Sequence, residues 1–376
     1  TKACPLAATG LKGPGVGGEP VPAHLPLAAG AKFAPWAPGP SRDKPWNSLA
    51  VSDRSVYSPA NFALAIGGGL SAAVVFAALG KGSSAGFLLS HFAPLPIMIV
   101  SLALGVSHGA TAALAGALGL SIWPHPLFGM AFGLLVALPA WLSCWVCAGA
   151  PFRGLQRLER GIPAWAVTAQ TLAVAGAVLL FLAIAALSSG AIAEPLAYLQ
   201  GQMNLAIEAM TTEGVFGEKA NPEDVKRIMR QALPAMVAGH MLLVQAINLW
   251  LAGRIVQFSG MLKRSWPDIA AEFALPRWLA ILLLIGAGLS IVDGPVGAAG
   301  LTLAAPIALA FGFQGLAVTH YWLRGSAASV FVLAAIYFCI GVFGAPMMLF
   351  AILGLADVVM RFRQRKTSSP RPGGAV

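Results

Sequence analysis

Charge is what this chain has least of. Only 10% of its 376 residues are Asp, Glu, Lys or Arg, and only 14 of them are acidic. A soluble domain carries roughly 25% charged residues, so a water-exposed globule is excluded. The shortage of acids argues against an ion pump or a membrane enzyme built on carboxylates. Cysteine is equally scarce: Cys4, Cys144, Cys147 and Cys339 are too few and too scattered for a disulfide framework. No HExxH, P-loop or nucleophile-elbow pattern stands where its structural context would require it. No catalytic residue, cofactor or metal is therefore expected, and the chain reads as a non-enzyme.

What is present is apolar. Hydrophobic residues make up 57% of the chain, arranged in runs long enough for many membrane spans of about 20 residues each. The net charge of +10 lies between those runs rather than in one patch. That is the pattern of cytoplasmic loops, not of a nucleic-acid surface.

Residues 1–57 stand apart. They are rich in Pro, Gly and Ala, without periodicity, and are expected to be disordered. The first Met is Met98, and a further expectation is that translation begins near Val51, the earlier residues not being translated natively.

The remainder reads as an all-α polytopic transmembrane bundle of about ten spans, with nine or eight as alternatives. An N-terminal membrane bundle over 58–187 holds five. Ser58-Pro59 caps the first, Pro94 and Pro96 kink the second, the third is short, Pro126 opens the fourth, and the fifth runs from about Ala164 to Leu187. Residues 188–232 form an extracytoplasmic loop with an amphipathic helix and a second short helix begun by Asn221-Pro222-Glu223-Asp224. The C-terminal bundle covers 233–361, and 362–376 is a basic tail. The last apolar run, Ala328 to Met360, is expected to break at Gly344-Ala345-Pro346. Arg153, Arg157 and Arg160, the elbow around Lys263 and Arg264, Arg324 and the tail arginines then share one side. This places both termini in the cytoplasm of a bacterial inner-membrane protein. Trp141, Trp145, Trp165, Trp250, Trp278 and Trp322 fall at that same interface.

Polar side chains inside spans are costly and so point to function. His240, Gln245 and Asn248 lie within about 140° of helical arc. With His91, Asp293 and Gln314 they suggest an outward-opening substrate pocket, against the plainer reading of interhelical hydrogen bonds. Gly69, Ala73 and Ala77 form a small-residue face on the first span, suited either to docking another protein or to ordinary close packing. Cys144-Trp-Val-Cys147 has redox spacing but sits in an apolar helix, and reads as two small buried side chains.

Four stretches resemble a family of bacterial membrane proteins that includes the Bacillus YybS protein, especially its alphaproteobacterial branch. They are APLPIMIVSLALG (Ala93 to Gly105), NLWLAGRIVQFSG (Asn248 to Gly260), LPRWL (Leu275 to Leu279) and FGFQGLAVTHYWLRG (Phe311 to Gly325). The resemblance covers about residues 60 to 361 and implies no catalytic residue. It implies a distant likeness to the substrate-binding membrane components of energy-coupling-factor vitamin transporters. On that likeness Gly69, Ala73 and Ala77 would be the face that docks a partner, although the extra C-terminal spans and the large outer loop depart from those components. Two functions are expected from this. One is small-molecule binding or uptake through His91, His240, Gln245, Asp293 and Gln314. The other is a membrane scaffold recruiting protein partners through Lys263, Arg264 and the tail.

Overall fold

The computed structural model describes residues 58–81, 83–148, 162–187, 201, 204, 205, 208, 221–262, 268–360, 362 and 363. All regular structure among them is helical. The helices are α1 (Pro59–Ala77), α2 (Ser84–Ser90), α3 (Pro94–Ala103), α4 (Val106–Ile122), α5 (Pro126–Phe132) and α6 (Leu138–Cys147). They continue with α7 (Ile162–Leu187), α8 (Pro222–Phe258), α9 (Ile269–Glu272), α10 (Trp278–Leu289), α11 (Pro295–Trp322), α12 (Ser329–Phe343) and α13 (Pro346–Met360).

Local chemistry sets most boundaries. Ser58 caps α1 by accepting from Asn61 N at 3.2 Å, and Asn221 caps α8 by accepting from Glu223 N at 3.1 Å. Pro94 and Pro96 break the second span, which turns at His91 to Ala93 between α2 and α3. A π-helical stretch, Gly133–Ala137, joins α5 to α6 just before Pro139. Gly344 adopts φ 64° between α12 and α13, a conformation open mainly to glycine, and the two helices bend by 120° there.

Among the described residues, six helical stretches are long and apolar enough to cross a bilayer: Pro59–Gly80, Ser84–Ala103, Pro126–Cys147, Ala164–Ala183, Glu223–Phe258 and Pro295–Trp322. The bent α12–α13 pair makes a seventh if taken as one span. The shorter apolar helices α4 and α10 complete the set; the latter reaches only about 18 Å, less than the hydrocarbon thickness.

One expected boundary is corrected. Asn221 does not open a separate short helix, because α8 runs unbroken from Pro222 to Phe258 with Pro234 inside it. The acids Glu223 and Asp224 occupy its first turn, where they favour the helix N-terminus. The expected limit at 232–233 therefore falls within one element. Most of the expected first amphipathic helix, and the arginines of 153–160, lie outside the described residues.

The packing forms two main apolar centres. One gathers Ala65, Ile97, Met98, Ala112, Phe132 and Cys144. The other gathers Leu242, Leu279, Ile307 and Phe311 with Phe273 and Leu275 of the elbow. Close approach depends on glycine at two crossings. A Cβ on Gly69 would overlap the backbone of Ala112, and one on Gly315 would overlap Phe350 O. Gly354 meets Phe311 O in the same way, so α11 and α13 touch backbone to backbone.

Candidate functional site

The polar face of α8 is spent mainly on backbone groups that prolines have released. In α6 Pro139 has no N–H, so Leu135 O loses its helical donor. Gln245 supplies the replacement, its Nε2 donating to Val136 O at 2.9 Å and to Leu135 O at 3.4 Å. At the α2–α3 turn Leu95 N bonds Phe92 O instead of His91 O. Asn248 Nδ2 then donates to His91 O at 2.7 Å and to Val244 O at 2.8 Å. Both amides are buried, at 1% and 2% exposure. Asn248→Leu should consequently lower stability in detergent by about 1–2 kcal/mol while leaving ligand binding intact. Denaturation of the purified protein, with a binding assay beside it, checks both halves.

His91 and His240 meet across 149 positions of sequence, Nε2 to Nε2 at 2.9 Å. His91 Nδ1 donates to Phe87 O at 2.7 Å. That fixes the neutral tautomer of His91 as an acceptor at Nε2, so His240 donates. Phe87 stacks against the His240 ring. His240 lies nine residues along α8 from Gln231, about 14 Å deeper.

The five residues expected to form one outward pocket do not converge. Asp293 is exposed in the α10–α11 turn, level with Gln231, whose Nε2 donates to Ser290 O and Val292 O at 3.2 and 3.3 Å. Gln245 is sealed in the core. Gln314 lies 19 residues beyond Pro295, about 29 Å along α11 and at the opposite end of that helix. The expectation failed because helical periodicity locates a face but not the depth of residues on different helices.

The expected docking face is corrected too. Gly69 and Ala73 are buried, and the space over Gly69 is taken by α4 of the same chain. Ala77 packs against the first apolar centre. No outside partner can occupy that surface while α4 is in place. Lys263 and Arg264 lie outside the described residues. Cys144 is fully buried with its thiol against Met98 O, and Cys147 is half-buried, as expected of small core side chains.

Gln314 instead belongs to a charged site at the elbow between α8 and α10. Pro276 cannot donate, and Ala274 and Leu275 lie between the last bond of α9, Phe273 N to Ile269 O, and the first of the next turn, Leu279 N to Pro276 O. Side chains from α11, from α13 and from just beyond α13 fasten this passage. Leu275 N donates to Gln314 Oε1 at 2.9 Å, and Gln314 Nε2 donates to Asp357 Oδ2 at 2.9 Å. Arg363 Nη2 reaches Asp357 Oδ2 at 2.7 Å and Phe273 O at 2.6 Å, while Nη1 reaches Ala270 O at 3.2 Å. Asp357 and Arg363 are only 4% and 8% exposed, so the ion pair is desolvated and each charge requires the other. Arg363, expected in the free basic tail, is a structural part of this site.

Beside the pair lies a cavity of about 310 Å³, lined by Ala271, Ala274, Leu275, Arg277, Gln314, Asp357, Val358 and Arg363. Its charged walls, two guanidiniums and one carboxylate, carry a net positive charge. Asp357 Oδ1 is buried without a hydrogen-bond donor. Reasoning from the sequence missed this site, although one signal was present: an acid inside an apolar run, six residues before an arginine.

Outside the membrane-spanning helices, Asp268 anchors the far side of the elbow. It caps α9 through Ala271 N at 3.3 Å and takes both arms of Arg324, Nη1 to Oδ2 at 2.7 Å and Nη2 to Oδ1. The Arg324 hydrogen bonds hold its carboxyl below the ordinary value of 3.8. A depressed carboxylate stabilises fully above the unfolded value and loses that effect as pH falls through the folded one. Elbow docking, read by Trp278 fluorescence, should therefore keep its Asp268 contribution above pH 3.8 and lose it only below. Glu272, raised above 4.5 by burial and by Asp268, acts in the opposite sense; repeating the titration in Glu272→Gln isolates the Asp268 part.

Residues 71–358 match a family model described as "Predicted membrane protein (DUF2232)". Neither the curated proteins nor the solved structures contain a match to the chain.

Proposed function

Because the chain belongs to the DUF2232 family of predicted membrane proteins, we propose that it is a multi-pass membrane protein that binds a small polar ligand in the elbow cavity, without an enzymatic step. One observation carries this reading: a cavity of about 310 Å³ walled by the buried Asp357–Arg363 pair, Gln314 and the exposed Arg277. Its volume is at the small end of ligand pockets, and ionisable groups within apolar bundles mark such pathways. In this reading the six long helices, α4, α10 and the two arms of the bent pair make ten crossings. The basic elbow end and both termini face the cytoplasm of a bacterial inner membrane. The YybS-like stretches, and their likeness to vitamin-transporter substrate-binding components, favour uptake as the purpose of binding.

Thermal unfolding of the purified protein against vitamins, nucleobases and other small solutes is expected to find at least one stabilising ligand, whose effect disappears in Arg277→Gln. A screen in which no solute shifts the transition, or in which Arg277→Gln responds as wild type does, rejects the cavity as the site.

A second reading, a scaffold for cytoplasmic or envelope partners, draws on exposed Arg254 and on Phe258, 96% exposed at the entry to the elbow. It requires that neutralising Lys263, Arg264 and the tail arginines release a co-purifying protein. An unchanged pull-down removes it.

A further inference from the structure

We propose that the ligand of the elbow cavity is an amphiphilic oxyanion, a carboxylate or phosphate group on an apolar body, held by Arg277; this rests on the reading that the cavity binds a ligand. The charges of the wall are the first ground. Asp357 and Arg363 form an ion pair at 2.7 Å, and their charges cancel. Arg363 is further committed to Ala270 O and Phe273 O, so it is fixed wall. The third charge is unmatched. Arg277 lines the same cavity, is exposed, and among the described residues its side chain has no ion-pair or hydrogen-bond partner.

The hydrogen-bonding groups of the wall are the second ground. Gln314 accepts from Leu275 N through Oε1 and donates to Asp357 through Nε2, so both ends of its amide are engaged. Asp357 Oδ2 is filled by Gln314 and Arg363, and Oδ1 is buried and presents no surface to a ligand. The unspent group is the guanidinium of Arg277, with five N–H donors and no acceptor. A ligand that answers it brings acceptors and negative charge. Paired oxygens on one carboxylate or phosphate match its fork geometry, whereas a cation would meet repulsion and no free acceptor.

The rest of the wall and its depth are the third ground. Ala271, Ala274, Leu275 and Val358 complete the lining with apolar side chains, suited to hydrocarbon beside the charged group. Trp278, next to Arg277, lies 6.5 Å from Trp165 between ring centres, and Trp322 packs on Phe362, next to Arg363, at 5.6 Å. Such aromatic clusters mark the headgroup level, the depth at which an amphiphilic anion places its charge. Two sources share this chemistry. One is the phosphodiester of an anionic membrane lipid, a group that basic pockets between helices accept; the other is a free short-chain carboxylate.

The test uses the full chain, purified in neutral detergent, stripped of lipid and held at constant ionic strength, because salt screens an exposed guanidinium. Its thermal unfolding is followed with phosphatidylglycerol against diacylglycerol, which lacks the phosphate, and with butyrate against butyramide, which lacks the charge. At least one of the two anions is expected to raise the midpoint by about 3 °C or more, and its neutral counterpart by less than about half of that. Arg277→Gln, at an exposed position, should melt as wild type does without ligand and lose the shift. Arg254→Gln removes an exposed arginine outside the cavity wall and should keep it. A shift with phosphatidylglycerol makes the ligand a lipid, one with butyrate a free carboxylate, and either supports the oxyanion. Equal shifts from an anion and its neutral counterpart overturn it. So does equal loss in Arg254→Gln, which would reduce the effect to general surface charge. If both anions are silent while an uncharged or cationic solute acts through Arg277, this inference fails and ligand binding stands. If nothing acts through Arg277, both fall.

Discussion

Gly315→Val is expected to cost about 3 kcal/mol or more of stability, because overpacking where no side chain can yield forces the backbone itself to move. The new Cβ would overlap Phe350 O, a carbonyl of α13 that has no rotamer to change. Gly354→Val should do the same from the other side, against Phe311 O. Separating α11 from α13 also pulls Gln314 away from Asp357, so the elbow should loosen together with the crossing. The measurement is equilibrium unfolding in detergent with Gly341→Ala as the control. Gly341 lies in α12 with open space at its Cβ position, and alanine there should be neutral or stabilise by about 0.5–1 kcal/mol. Similar losses for Gly315→Val and the control would mean that the two helices do not touch as described.

Asp357→Ala should cost about 3–5 kcal/mol, the usual result of leaving one charge of a buried pair alone. Arg363 would keep its carbonyl partners Ala270 and Phe273 but lose its counter-charge. Most of the loss comes from that isolated guanidinium. Adding Arg363→Met to Asp357→Ala should therefore recover a large part of the stability, even though it removes a second wild-type residue. A double variant less stable than the single one would show that Asp357 acts through Gln314 or the backbone rather than through Arg363.

These two sites differ in how far the sequence discloses them. Helix limits were legible because they are local: Ser58-Pro59, Asn221-Pro222 and Gly344-Ala345-Pro346 each carry their own stop or start chemistry. The polar face of α8 was legible as periodicity, but its purpose was not. Gln245 and Asn248 answer carbonyls released by a proline and a turn more than a hundred residues away, and no pattern within α8 reports that. The continuous α8 was hidden by the polar interval 188–232, whose charged C-terminal part is the first three turns of the same helix that enters the apolar run. Asp357 and Arg363 escaped for a geometric reason. Six residues apart, they stand about 120° apart around an ideal helix, so periodicity does not pair them. They meet because both turn toward the elbow, and the elbow's place between α11 and α13 is a tertiary fact. Gly69 shows the converse error: its small-residue face was read correctly as a close-approach surface, and the approaching helix is the chain's own α4.

The proposed ligand site is the elbow cavity rather than the polar face around His240. Binding of any stabilising ligand to wild type, His240→Ala and Arg277→Gln, measured side by side by titration calorimetry, tests it most directly. His240→Ala is expected to bind within about twofold of wild type, while Arg277→Gln weakens binding by tenfold or more, the loss of about 1.4 kcal/mol expected when a charge-assisted contact is removed. Loss of binding in His240→Ala with retention in Arg277→Gln would contradict it and return the site to the other half of the bundle.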